Sequence, residues 1–271
     1  MTHPVKALVS TMCLVIAFQP SASAAPAAGK ASHAWTLLEE GAASQDSDTR
    51  GAALQALGLL RENLRAAKVV EAHLADQDSE VRAAAATALG QIGLKSEAPK
   101  LVAMSKDESG EVVFSAAAAL YQLGDRHAYA VYYAVLTGER KTGEPLLESQ
   151  MKMLKDPQAL AKISLETGVG FIPFGGIGYK MVKSFTQDKV SPVRAAAAQK
   201  LALDPDPASG RALVVATSDD KWIVRASALG AIARRGDPAL LPAVEGRLTD
   251  ENTTARFTAA AAVIRLSARR P

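Results

Sequence analysis

A motif centred on an arginine returns along this chain at a nearly constant interval. Asp76 to Gly93 reads DQDSEVRAAAATALGQIG: an acidic turn, a Val-Arg pair, a run of alanines and a closing Leu-Gly-x-x-Gly. Aligned on the arginine slot, the repeats fall at Arg50, Arg82, Val113, Arg194, Arg225 and Arg256, in steps of 32, 31, 81, 31 and 31 residues. A period of this length leaves few folds open, because one such unit cannot bury its apolar face alone and must stack on its neighbours.

Within a period, Asp78 or Ser79 is placed to cap a helix, since a short side-chain oxygen accepts from an orphan N–H of the first turn. The AAAATAL run then propagates that helix at little conformational cost. Val81, Ala85, Leu89 and Ile92 are spaced by four, four and three residues, one face of a helix, and Gly93 supplies the left-handed residue on which helices end. Each period has room for two helices of about 10 to 14 residues and two short turns. The second pair is expected at about Arg65–Ala75 and Ser79–Ile92. The predicted fold is all-α, a solenoid of about seven antiparallel helix pairs.

The segments Asp76–Gly90 (DQDSEVRAAAATALG), Asp188–Ala202 (DKVSPVRAAAAQKLA) and Asp219–Ala233 (DDKWIVRASALGAIA) resemble HEAT repeats, particularly their short bacterial form. In that family the turn aspartate and the second-helix arginine join adjacent repeats. The resemblance therefore implies a structural ladder of Asp78, Arg82, Arg194, Arg225 and Arg256, rather than a stripe for nucleic acid.

Residues 1–24 carry the marks of a secretory signal peptide. Lys6 gives a basic start, Ala7–Phe18 is a short apolar run, and Ala22-Ser23-Ala24 ends it with small residues. Cleavage is expected before Ala25, leaving 247 residues, an Ala/Pro/Gly linker at 25–32 and the repeat domain at 33–271. The expected location is the periplasm or the exterior. The one cysteine, Cys13, lies in the leader, so the mature chain has no disulfide or thiol chemistry. Without Lys6 it holds 30 basic and 28 acidic residues, a balance that does not suit nucleic acid or a polybasic membrane footprint.

Regularity breaks after Gly124. His127–Thr137 reads as the first helix of an irregular fourth unit, followed by a Gly-rich insert at about 168–178. The pairs then resume, with second helices near Val190, Trp222 and Thr253 and proline-initiated first helices at Pro207 and Pro238. Trp35, in the first helix, is expected to cap an open end of the core.

No catalytic or metal-binding constellation is legible, and no cofactor is implied. There is no HExxH, no GxSxG and no Cys pair, and His33, His73 and His127 occupy different places in the repeat. HEAT-related iron-dependent hydroxylases carry His-Glu pairs, and no such dipeptide occurs here; bilin lyases, also relatives, bring no catalytic residue across. Gly170 to Gly175 has the outer spacing of a phosphate loop, but Gly176 stands where its lysine is needed. Phe171, Phe174 and Tyr179 are candidate contacts to a partner or a membrane interface, although eleven apolar residues cannot span a bilayer. The expected function is a non-catalytic scaffold that binds a protein partner through the solenoid surface. The alternatives are an enzyme accessory or lyase-like protein, and a peripheral membrane protein using the Phe171/Phe174 loop.

Overall fold

The computed structural model describes residues 24–137 and 190–268. Among these the regular structure is entirely helical: α1 (Ala24–Ala42), α2 (Ser47–Gly58), α3 (Leu64–Glu71), α4 (Ser79–Ile92), α5 (Ala98–Met104), α6 (Gly110–Gln122), α7 (His127–Leu136), α8 (Ser191–Leu201), α9 (Pro207–Ala216), α10 (Trp222–Arg235), α11 (Leu241–Glu245) and α12 (Thr253–Ser267). Short 3-10 turns at Lys95–Glu97 and Pro238–Leu240 lead into α5 and α11.

Helix starts follow from local chemistry. Asp46, Asn63, Asp78, Asp206 and Asn252 each accept a first-turn backbone N–H at the head of α2, α3, α4, α9 and α12. Gly93 and Gly236 end α4 and α10 in the left-handed region, at φ 83° and 65°. Residues 25–32, expected as a linker, belong to α1 instead. Alanine favours helix, Pro26 sits in the first turn where its missing N–H costs nothing, and Lys30 is tied to Glu245 of α11.

The five complete pairs are α1/α2, α3/α4, α5/α6, α9/α10 and α11/α12. The expected companions of α7 and α8 lie outside the described residues, as does the irregular part of the fourth unit.

The order of the stack in space differs from its order along the chain. Helix α8 packs on α10 and α10 on α12; α12 then packs on both α1 and α2, α2 on α4, and α4 on α6. The C-terminal helix thus stands in the middle of the array, between α10 and α2. Residues 138–189 connect α7, at one end of this order, to α8 at the other. One hydrophobic cluster runs through both halves, with Leu54, Leu89 and Leu120 on one side of the junction and Leu229, Ile232 and Val263 on the other.

The junction is tight. A Cβ on Gly41 of α1 would lie 2.4 Å from the ring of Phe257 in α12, so only glycine allows this approach. Arg265 of α12 also donates to the Leu59 carbonyl at the end of α2, at 3.0 Å. Trp35 therefore does not close an open end. It is half-buried, with the Arg65 guanidinium 4.3 Å above its ring.

Candidate partner interface

Three ladder arginines, Arg50, Arg82 and Arg225, make the same two attachments. In each, Nη1 donates back to carbonyls of its own turn, and Nε and Nη2 form a fork onto the aspartate of the next turn. Arg82 donates to the Asp76 carbonyl at 2.9 Å and holds both carboxylate oxygens of Asp107 at 2.9 Å. Arg225 donates to the Asp219 carbonyl at 2.9 Å and holds Asp250 at 2.8 and 2.7 Å. Arg50 does the same with the Ser44 carbonyl and Asp76, and Arg194, more exposed than these, reaches Asp219. Planar, bidentate recognition of a carboxylate is what guanidinium geometry favours.

The ladder aspartate is Asp76, not Asp78. Asp78 caps α4 by accepting from the Glu80 N–H at 2.8 Å. Asp76, two residues earlier, takes the Arg50 fork and also accepts from the Asp78 N–H at 2.9 Å, which fixes its own turn. Asp107, Asp219 and Asp250 repeat this second bond with Ser109, Lys221 and Asn252. The signal was in the sequence: an aspartate stands six residues before the arginine slot at Asp76, Asp107, Asp219 and Asp250.

Electrostatics follow the geometry. The hydrogen bond to Asp76 raises the Arg50 guanidinium pKa further, and Asp107 and Asp250 do the same for Arg82 and Arg225. Burial pushes the carboxyls of Asp76, Asp107 and Asp250 up, but the arginine forks and turn N–H bonds outweigh it and leave all three below the ordinary aspartate value.

Arg256 departs from the pattern. It donates to the Asp250 carbonyl at 2.7 Å and toward Thr253, but among the described residues no carboxylate receives it. In the stack the next turn belongs to α1/α2, where Ser44 stands six residues before Arg50. Ser44 keeps the turn, its hydroxyl accepting from the Asp46 N–H at 3.2 Å, but carries no charge for Arg256.

Phe257 to Ile264 in α12 and Val81 to Ala86 in α4 are unbroken buried runs, longer than a full helical turn, so these stretches have no open side, whereas α6 exposes Phe114 and Tyr121. Solvent also reaches the acidic first turns carrying Asp48 (α2), Glu80 (α4) and Glu111 (α6). Between α2 and α4 these first turns border a small groove of about 40 Å³. The Glu111 carboxyl is pushed up to about 7 by burial and then by the neighbouring charges of Glu80 and Asp78.

The sequence profile of HEAT repeats matches residues 36–128 and 180–264. The chain belongs to the HEAT repeat family. Among solved structures this HEAT protein is similar to the CpcE–CpcF complex of phycocyanin lyase from Nostoc, at 20% identity, covering 87% of this chain and 85% of that one with a TM-score of 0.32. It is also similar to human deoxyhypusine hydroxylase, at 15% identity, 90% and 96% coverage and a TM-score of 0.32. An engineered protein matches at 17% identity, 84% and 94% coverage and a TM-score of 0.27. None of these superpositions is close enough to carry an argument about activity. No curated protein sequence matches the chain.

Of the other candidate residues, His33 is exposed, His73 lies 3.5 Å from Asp76, and His127 lies 2.6 Å from Asp125. The three stand in three different repeats. Phe171, Phe174 and Tyr179, like residues 1–23 and the Gly-rich insert, lie outside the described residues. Among the described residues no helix is long and apolar enough to cross a membrane, and no three His, Cys, Asp or Glu side chains are grouped to hold a metal ion.

Proposed function

We propose that this HEAT repeat protein is a non-catalytic scaffold, exported by its N-terminal leader, that holds a protein partner on the exposed ends and outer helices of its stack. The observation that carries this reading is a main hydrophobic core that runs through both halves of the described chain, with repeats tied through buried arginine–aspartate forks. Its buried charged side chains serve the joints between repeats, which makes a rigid extended body. Export rests on Lys6, the apolar Ala7–Phe18 run and the small residues Ala22-Ser23-Ala24.

Affinity purification of the tagged protein from its native envelope is the test. A protein recovered in stoichiometric amount, and lost when the ladder is broken by Arg82→Ala, is the expected result. Intact-mass measurement of the purified chain should show it beginning at Ala25. Recovery of the bare chain alone, or with its first 24 residues still attached, would count against the scaffold or the export reading respectively.

A further inference from the structure

The groove between the N-terminal halves of α2 and α4 has a chemistry that the repeat architecture does not require. Ser47, Asp48, Gly51, Gln55, Glu80 and Val81 line it. No lysine or arginine does, although the ladder places arginines one turn away on the same two helices. Its enclosed volume is about 40 Å³, far below that of a small-molecule pocket and room only for the tip of one side chain.

Gln55 is the decisive residue. It is 7% exposed, yet among the described residues its Oε1 meets no hydrogen-bond donor. An unsatisfied buried amide oxygen costs about 1–3 kcal/mol, and a native fold rarely carries one without a reason. The same slot holds Thr87, Ala118, Gly230 and Ala261 in four other repeats and a second glutamine, Gln199, in the fifth, so the repeat does not require an amide there. First-turn acids such as Asp48 and Glu80 also favour the helix dipole and alone would mean little. Here they stand at the mouth of a groove floored by a buried acceptor. Gly51 adds to the opening, since a Cβ there would meet no atom within 4 Å. Negative charge continues one repeat further to Glu111, close enough to Glu80 and Asp78 for each to disfavour its ionisation.

We propose that this groove receives a single basic side chain, arginine or lysine, from an extended segment of the partner protein. Its N–H groups would satisfy Gln55 Oε1 at the floor while its charge meets Asp48 and Glu80 at the mouth. A guanidinium or ammonium fits better than a metal ion, because the groove offers two carboxylates from separate helices and one neutral amide. The proposal rests on the scaffold reading and gives the chemistry of its partner.

The test is fluorescence anisotropy with a fluorescein-labelled tri-arginine peptide and the full chain, a tri-glutamate peptide serving as control. Tri-arginine should bind and tri-glutamate should not. Gly51→Met, which fills the groove without a backbone clash, and Gln55→Leu should each weaken tri-arginine binding about tenfold, while Glu80→Gln weakens it severalfold. Thermal melting checks that the variants fold, and Gly51→Met keeps the test decisive should Gln55→Leu not fold. Equal binding of both peptides, full displacement of tri-arginine by calcium ions, or undiminished binding by Gly51→Met would overturn the proposal. If the Gly51→Met chain still captures the native partner at wild-type yield, the groove assignment fails while the scaffold stands; if no chain captures a partner, the scaffold reading fails, whatever the peptide does.

Discussion

Arg82 and Arg256 occupy the same slot in different units of the stack yet do different work, because the carboxylate opposite one is a hydroxyl opposite the other. Arg82→Ala strands Asp107 in a nearly buried setting and should cost about 3 kcal/mol in urea unfolding. Arg256→Ala, which loses backbone and hydroxyl partners and a contact with the Phe257 ring but no carboxylate among the described residues, should cost about 1 kcal/mol. Ser44→Asp, which restores the missing carboxylate, should gain about 0.5–1 kcal/mol and make Arg256→Ala as harmful as its counterparts. Glu111 makes a pH prediction. Its folded pKa of about 7 exceeds the ordinary 4.5, so the stability it contributes is full below about pH 4.5 and is lost as pH rises through 7. Glu111→Gln should therefore leave stability unchanged near pH 5 and raise it by about 1 kcal/mol near pH 8, exposure screening the rest. Asp76, Asp107 and Asp250 act in the opposite sense. Their stabilisation is present above the ordinary aspartate value and disappears as acid titrates them through their lowered folded values.

At the scale of the element, close approach is bought with small residues. Gly41 of α1 faces the Phe257 ring of α12, and Gly90 of α4 faces Ala119 of α6, where an added Cβ would lie 2.7 Å from backbone. Gly41→Ala should force α1 away from α12 and cost about 2–3 kcal/mol, whereas Gly51→Ala, with open space at its Cβ, should stabilise α2 by about 0.5–1 kcal/mol. Thermal melts of the two variants should therefore shift in opposite directions. Helix starts and stops were legible because capping is local: Asp78, Asn252 and Gly93 act within a few residues of their place in the chain. The helical nature of residues 25–32 was not, since Pro26 and Gly29 read as punctuation when the α11 surface that holds Lys30 is not in view.

For the whole molecule, the defining feature is that the last repeat docks on the first. Residues 24–137 and 190–268, produced as separate chains in one cell, should copurify as a one-to-one complex through the α12 contact with α1 and α2. Phe257→Asp should abolish that complex by placing a carboxylate against Gly41. Independent halves that never associate would refute this order of stacking.

The repeat period, the helix boundaries and the arginine slot were determined by the sequence alone, because each depends on residues within one period of one another. The register of the ladder was equally present, in the aspartate six residues before the arginine, but Asp78 competes with Asp76 in the same turn and only geometry separates a cap from a fork. The junction of α12 with α1, the enclosure of α4 and α12 and the unsatisfied Gln55 oxygen belonged to the tertiary structure. Each depends on which surfaces meet across about 200 residues of chain, as Arg265 and the Leu59 carbonyl do, and no local pattern encodes that meeting.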